Sequence, residues 1–188
     1  MAPLSMIKHF RTVPFLLFLV LGFVSCKPSE VTNQNFKYFD IGSFTTEIRS
    51  NLEQDKLYKK VVQLDRETDS LMISGVEADS VLQLLYSIDL NADQYANHIN
   101  VDTFSSDGNQ TIRYTNNNPK LALNHCTITS DSKGVLQLVV TTSEKSILYN
   151  TDKKYEYFRD VAFRVTTNQK TSFFPEVTYK TGISLTPN

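Results

Sequence analysis

Apolar residues recur at spacings of three and four in two segments, which is the pattern of an amphipathic helix. The first stripe begins at Ile41 and predicts a helix from about residue 40 to 54. The second predicts a helix from about residue 76 to 88. It follows Ser74-Gly-Val-Glu77, which fits a capping box because the serine and the glutamate can each bond the other's backbone N–H.

The remainder of the chain alternates β-favouring runs with turn residues. Strands are predicted at 57–64, 68–73, 97–104, 111–115, 120–129, 135–143, 146–150, 153–166 and 172–181. Turns are expected at 105–108, 116–119, 131–134 and 167–170, where serine, asparagine, aspartate, glycine and proline cluster. These connections are too short for crossover helices, so the pattern excludes a parallel sheet and predicts an antiparallel meander.

The two patterns together predict an α+β fold over residues 36–188. Two helices, with a short hairpin between them, should pack on a long curved antiparallel β-sheet. The sheet is either an open half-barrel or barrel-like, and the pattern does not decide between the two.

The N-terminal segment has the order of a secretory signal. Lys8 and Arg11 precede an apolar run from residue 15 to 24, which is too short to span a bilayer, and Cys26 follows. Val24-Ser25-Cys26 looks like a lipobox, although Phe23 departs from the usual leucine. We therefore expect a lipoprotein signal peptide over 1–25 and lipidation of Cys26, with a polar tether over 26–35. The alternative is a secreted protein with an incidental cysteine.

The residues after the cysteine bear on location. Lys27 is not the aspartate that marks inner-membrane retention in enteric bacteria, and Glu30 is the only acid of the segment 27–30. We therefore expect a lipid-anchored protein of the cell envelope, on the outer membrane and facing the periplasm. Several buried acyl chains give stable anchoring, because each methylene contributes about 0.8 kcal/mol.

Charge and cysteine usage narrow the class further. Removal of the signal leaves 163 of the 188 residues, with 17 basic and 20 acidic side chains. A net charge of −3 argues against nucleic acid as a partner, which would require a basic face. Lipidation of Cys26 leaves Cys126 alone, so no disulfide within the domain is expected.

The order of features resembles small uncharacterised lipoproteins of the Bacteroidota. The residues that carry this resemblance are Tyr38-Phe39-Asp40 before the first helix, Asp89-Leu-Asn91 after the second, Ile112-Arg-Tyr-Thr115, and Leu148-Tyr149. The resemblance spans most of residues 36–181. It implies an envelope location and no activity, so no functional residue is transferred.

Two patterns suggest chemistry and are weak. Asp89, Asn91 and Asp93 have the spacing that opens a calcium loop, but Gln94 replaces its glycine and Asn100 its closing glutamate. Their other interpretation is the end of the second helix. His125 beside Cys126 suggests a nucleophile and its base, yet neighbouring residues of a strand point to opposite faces, so Cys126 is expected to be a buried, inert thiol.

Other catalytic and metal-binding patterns are missing from the sequence. His98 and His125 are the only histidines after the signal, which gives no spacing for a zinc site. The acids Asp65, Glu67 and Asp69 are expected to be solvated turn residues. No phosphate loop, GxSxG or HExxH is present. We therefore expect no catalytic residue, no metal and no cofactor. A hydrolase acting on glycan or peptide through unidentified carboxylates stays as a third hypothesis.

An aromatic series in the last strands is the most suggestive remaining feature. Its interpretation is either the core beneath the helices or, because two helices cannot cover so many strands, an apolar trough for an acyl chain, as in outer-membrane lipoprotein carriers. The possible apolar ligand face comprises Tyr149, Tyr155, Tyr157, Phe163, Phe173 and Tyr179.

These observations lead to two functional hypotheses that rank before the hydrolase. The first is a membrane-anchored envelope lipoprotein with a non-enzymatic binding or structural domain, whose partner is an unknown envelope protein or lipid. The alternative is a carrier or sensor of a hydrophobic small molecule such as a lipid.

Overall fold

A computed structural model describes residues 37–187, and the predicted signal, lipobox and tether lie outside this range. Within it the chain forms two helices, one 3-10 turn at Asp93–Tyr95 and a sheet of nine strands. The helices are α1 (Ile41–Ser50) and α2 (Gly75–Tyr86). The strands are β1 (Leu57–Leu64), β2 (Glu67–Ser74), β3 (Ile99–Ser106), β4 (Asn109–Asn116), β5 (Leu123–Asp131), β6 (Gly134–Lys145), β7 (Tyr149–Phe158), β8 (Ala162–Thr171) and β9 (Val177–Ser184).

All strand pairs are antiparallel, which confirms the α+β class with a large antiparallel sheet. The order across the sheet is β2-β1-β9-β8-β7-β6-β5-β4-β3. Strands β3 to β9 therefore form a meander, and the N-terminal hairpin joins it where Lys60 stands opposite Ile183. The sheet does not close into a barrel, because β2 and β3 form its two edges.

One face of the sheet, which we call the inner face, packs under the helices. A cross-strand row on this face consists of Ile112, Ile128, Leu138, Tyr157, Phe163 and Ile183. These side chains form one apolar core with Ile41 of α1 and with Leu82 and Leu85 of α2. The three helical residues are fully or almost fully buried. The opposite side, which we call the outer face, is covered by neither helix.

Each helix begins at a side-chain cap. Asp40 accepts the N–H of Ser43 at the start of α1 (2.9 Å). Ser74 and Glu77 form the predicted capping box of α2, with the Ser74 N–H donating to the Glu77 carboxylate at 2.9 Å. Between the helices, Nη2 of Arg49 donates to the Asp79 carboxylate at 2.8 Å.

Gly75, the first residue of α2, is required by close packing. A Cβ placed there would lie 2.4 Å from the carbonyl oxygen of Glu53 and 2.7 Å from the Cα of Gln54. Both atoms belong to the backbone of the α1–β1 connection, which cannot easily move aside. The glycine therefore lets this connection lie directly against the start of the helix.

Four predictions about the last strands are wrong. The separate strand expected at 146–150 does not form, because 146–148 is a connection and Tyr149 begins β7. The run 153–166 is interrupted by a turn at Arg159, Asp160 and Val161, where Asp160 has φ +53°. Aspartate tolerates this left-handed conformation. The apolar residues Phe158 and Val161 nevertheless made the segment look like a continuous strand in the sequence. The expected turn at 167–170 lies inside β8, and 172–176 is a connection between strands.

Candidate functional site

The structure divides the predicted aromatic series into two groups. Tyr155, Tyr157 and Phe163 are buried on the inner face, where Tyr157 stands opposite Phe163. The ring of Phe44 meets that of Tyr157 edge to face, with centroids 5.1 Å apart. These three residues are part of the core beneath α1 and α2, which was the simpler of the two interpretations.

The other three predicted residues are exposed. Tyr149 and Tyr179 share the inner face with Tyr155, but they lie toward the other end of the strands, and each exposes more than two fifths of its surface. Phe173 is not in a strand at all and lies in the connection between β8 and β9. The six residues therefore do not line one trough.

A groove on the outer face is the first candidate site. It crosses β1, β9, β8 and β7, and its volume is about 600 Å³. Gly182 stands between Val61 and Arg164 on the neighbouring strands. Since Gly182 has no side chain, the groove reaches the backbone there. We call this feature the Gly182 groove.

The walls of the Gly182 groove are basic. Lys59, Arg164 and Lys180 line it, and none of them takes part in an ion pair among the described residues. Lys154 also lines it and binds Glu156 at 2.6 Å. Four cations and one acid therefore surround a groove in a chain whose net charge is −1.

His125 lies on the same outer face, on β5, two strands beyond β7 of the groove. Its ring bonds the Thr141 hydroxyl at 2.9 Å, and Thr141 stands opposite Lys154. Burial lowers the pKa of His125 below its usual value, and the charges of Arg113 and Lys154 lower it further. The histidine is therefore held toward its neutral form, first by the partial burial of its ring and then by nearby positive charge, of which Lys154 belongs to the groove.

A second candidate site is a cleft of about 650 Å³ beside α1, which we call the α1 cleft. Its apolar side chains come from the helix and from the sheet end beneath it: Phe39, Phe44, Ile48, Leu52, Val135, Tyr157 and Leu185. Its polar side chains are Asp40, Ser43, Glu47, Asn51, Lys133, Arg159 and Asp160. Small-molecule sites combine apolar side chains with polar groups that orient the ligand, and this cleft offers both kinds.

One side of the α1 cleft is fixed by Arg159. Its guanidinium donates to the Asp131 carboxylate at 2.7 Å and to the carbonyl oxygens of Val135 and Gly134 at 3.0 and 3.1 Å. The hydrogen bond from Arg159 lowers the pKa of Asp131. These bonds hold the β5–β6 turn against the β7–β8 turn, so the cleft has a defined rim.

The residues considered for calcium have other roles. The side chain of Asn91 accepts the N–H of Tyr38 at 2.8 Å and donates to its carbonyl oxygen at 3.2 Å. The Asp89 carboxylate accepts the N–H of Asn91 at 2.8 Å. This segment therefore fixes the start of the domain. Residues 37–187 contain no group of three or more histidine, cysteine, aspartate or glutamate side chains that could hold a metal.

The remaining candidates are separated in space. His125 is exposed on the outer face and Cys126 is fully buried on the inner face, which confirms the burial of the thiol. Burial raises the pKa of Cys126 to about 12. Asp65 accepts the N–H of Thr178 and thereby joins the β1–β2 turn to β9. Glu67 and Asp69 are exposed on β2, and His98 precedes β3.

Neither groove nor cleft was found from the sequence, although one had a signal. Lys154 and Glu156, Arg164 and Thr166, and Lys180 and Gly182 alternate in phase on three adjacent strands. That alternation indicates a polar sheet face, but only the pairing of β9 with β1 brings Lys59 beside it. The α1 cleft had no local signal, because its lining comes from distant segments.

The chain matches no protein-family model, no curated protein and no solved structure. Among residues 37–187, no helix is long and apolar enough to cross a membrane. The function of the protein is therefore inferred from its sequence and from the two sites above.

Proposed function

We propose that the mature chain is a lipoprotein of the cell envelope, anchored by lipid on Cys26, whose sheet domain is a non-enzymatic binding module. Its partner is an acidic segment of another envelope protein, which binds in the Gly182 groove. The anchor is supported by the order of basic residues, apolar run and cysteine in the first 26 residues. With this anchor the domain lies at the periplasmic side of the outer membrane.

The observation that carries the binding proposal is the segregation of charge. The mature chain has more acids than bases, yet Lys59, Arg164 and Lys180 meet around one groove without ion-pair partners among the described residues. Such a concentration of one sign attracts a partner of the opposite sign and orients it.

The geometry of the groove suits an extended chain. It crosses four strands, so it extends across three strand spacings of about 4.8 Å each, or roughly 14 Å. Lys180 and Lys154 lie two strands apart on one row, with Thr166 between them. Carboxylates spaced along an extended segment can meet these ammonium groups, while the missing side chain at Gly182 leaves room for its backbone.

The anchor is tested by replacing the acceptor cysteine. In Cys26→Ser, incorporation of labelled fatty acid should be lost and uncleaved precursor should accumulate. The native chain, processed in the same cells, is the control. Labelling of the variant at the native level would contradict the proposal.

The binding module is tested by reversing charges in the groove. Crosslinking in whole cells followed by affinity recovery of the native lipoprotein should capture an envelope protein. Arg164→Glu combined with Lys180→Glu should reduce that recovery by at least about tenfold, since like charges at an interface cost several kcal/mol. Lys56→Glu combined with Lys120→Glu, at two exposed positions outside the groove, is the control with the same change in net charge.

Two outcomes would count against this partner. Equal recovery by the charge-reversed and native chains would mean that the interface lies elsewhere. Recovery of an anionic glycan in place of a protein would retain the groove as the site and replace its partner.

A second candidate function is the carriage or sensing of a hydrophobic small molecule, and the α1 cleft favours it. Its volume of about 650 Å³ lies within the range of small-molecule sites, roughly 300 to 1,000 Å³. Native mass spectrometry of the gently purified domain should then show a bound apolar compound, and Val135→Phe, which adds bulk to the lining, should reduce the bound fraction. A bare mass for the native domain would oppose this function.

A further inference from the structure

Two connections lie side by side at one end of the sheet. The β6–β7 connection spans 146–148 and the β8–β9 connection spans 172–176. The Ser172 N–H donates to the Leu148 carbonyl oxygen at 3.2 Å, and the Ser172 hydroxyl donates to that of Ile147 at 3.4 Å. These hydrogen bonds join the two connections into one structural unit.

Each connection is also fixed internally. The Ser146 hydroxyl oxygen accepts the N–H groups of Leu148 and Tyr149 at 3.2 and 3.1 Å. In the other connection, the Phe174 N–H donates to the Thr171 hydroxyl at 3.1 Å. The side chains that these connections present are therefore held in place by the fold.

This unit presents a cluster of apolar side chains to solvent, which we call the apolar tip. Its members and their exposed fractions are Ile147 95%, Phe173 81%, Phe174 72%, Leu148 64% and Tyr149 41%. Four of them are the most exposed large hydrophobic residues between 37 and 187. Soluble proteins rarely expose such a cluster without a protein or membrane partner to cover it.

The charges around the apolar tip nearly cancel. Lys145 of β6 and Lys170 of β8 stand on either side of Asn150, at the edge of the tip. Glu144 precedes Lys145 on β6, and Glu176 lies in the β8–β9 connection. Neither an acidic nor a basic partner is therefore selected by charge. The apolar area should set the affinity, because tyrosine favours the membrane interface and phenylalanine and leucine are apolar side chains that interfacial segments bury.

The distance between the tip and the start of the domain agrees with a membrane contact. Tyr38 packs on Tyr114, whose cross-strand row leads to Tyr155 on β7. Tyr149 lies six residues before Tyr155, roughly 20 Å along the strand, and β4 and β7 are separated by three spacings, roughly 14 Å. The straight-line distance between these points is thus roughly 25 Å.

The tether is long enough for this distance. Lys37 lies eleven positions after Cys26, and an extended chain of eleven residues reaches at most about 38 Å. Lipid on Cys26 can therefore enter the same leaflet that the apolar tip touches.

We propose that the apolar tip is a second membrane contact, which inserts into the interfacial region of the leaflet that holds the lipid of Cys26. This inference rests on the lipid anchor proposed above. It gives the domain an orientation, with β7 and β8 directed away from the bilayer. The α1 cleft then lies at the far end of strand β7, about 30 Å from the tip at ~3.4 Å per residue.

The decisive experiment uses the mature chain with Cys26→Ser and no lipid, so that the tip is measured apart from the anchor. The native sequence contains no tryptophan, so Phe174→Trp provides a single reporter. With phosphatidylcholine vesicles, its emission should shift to the blue and become accessible to quenchers carried on the lipid chains. Val161→Trp, an exposed position at the other end of β7, should show neither change.

Vesicle cosedimentation gives the second measurement. Replacing Ile147, Phe173 and Phe174 together by serine should lower the partition coefficient by at least about tenfold, since several large apolar side chains are lost. Serine at Val76, Phe104 and Val161, which are also exposed and lie away from the tip, should change it by less than about twofold. Circular dichroism of each variant checks that it is folded.

The results separate the two proposals. An unshifted emission from the Phe174→Trp chain, with equal partition of the tip and control variants, would overturn the membrane contact, whether or not Cys26 carries lipid in cells. Failure of fatty-acid labelling with intact vesicle binding would overturn the anchor alone. If the tip variants lose a crosslinked protein or self-association while the native tip ignores vesicles, the tip is a protein interface and the proposal is wrong.

Discussion

The two ends of strands β7 and β8 have similar compositions and opposite environments. At one end, Tyr157 and Phe163 are covered by the ring of Phe44 and by the two helices. At the other end, Tyr149 is partly exposed, and Phe173 follows the strand almost fully in solvent. The same kind of side chain therefore stabilises the fold at one end and is available for binding at the other.

The difference shows that the role of an aromatic residue depends on whether a helix packs over it and not only on its position in the sheet. Alternation along a strand places a side chain on one face, but α1 and α2 extend over only part of that face. An apolar residue beyond their reach contributes little to the folded state. Where several such residues lie together, as at the apolar tip, they are available to contact a partner outside the domain.

The largest expected effect compares one phenylalanine from each end. Phe163→Ala should lower the free energy of unfolding by about 3–5 kcal/mol, because a fully buried ring is lost and a cavity remains. Phe173→Ala should change it by less than about 0.5 kcal/mol, as expected for a surface position. Urea denaturation followed by circular dichroism measures both, and losses of equal size would contradict the division between the two ends.

A smaller effect is expected where the helical cover is attached. Gly75→Ala should lower the free energy of unfolding by about 1–3 kcal/mol, because the added Cβ overlaps the backbone of Glu53 and Gln54. Gly42→Ala, in α1, is the matched control: its Cβ meets only side-chain atoms, the nearer at 3.3 Å. That change should be within about 1 kcal/mol of the native value. A tolerated Gly75→Ala would mean that the connection can move.

The smallest of the three effects concerns the cap of α2. Ser74→Ala should lower the free energy of unfolding by about 1 kcal/mol in urea denaturation at neutral pH. The hydrogen bonds from Ser74 hold the pKa of Glu77 below its ordinary value of 4.5. This contribution is therefore present above the unfolded pKa and is lost as the pH falls through the lower folded pKa.

The acid dependence supplies the check on the capping box. The difference between native and Ser74→Ala chains should shrink when the unfolding is repeated below the ordinary pKa of the glutamate. A difference that stays constant with pH would show that the Ser74 hydroxyl does not support the Glu77 carboxylate, since the bond from the backbone N–H of residue 74 is present in both chains.

The sequence predicted the features that depend on local order. One is the capping box, which needs only Ser74 and Glu77. Another is the turn at Asp107 and Gly108, two neighbouring residues that both have positive φ. The turn at Asp160 was missed because the short polar pair Arg159-Asp160, without glycine, asparagine or proline, is a weak turn signal.

The parts that could not be predicted depend on distant segments. The pairing of Lys60 with Ile183 joins residues more than a hundred positions apart, and it completes the Gly182 groove. The α1 cleft likewise needs Phe44, Val135 and Leu185 to meet at one end of the sheet. Periodicity gives the faces of each strand but not which strands become neighbours.

Cys126 makes the domain its own reporter of opening. Its thiol is sealed on the inner face of β5, and with a pKa of about 12 it is almost wholly protonated at neutral pH. An alkylating reagent can reach it only when the sheet and the helices separate. The rate of its modification, followed by mass in intact cells, would therefore report the open fraction of the domain at low reagent concentration and its opening rate where alkylation is faster than reclosing.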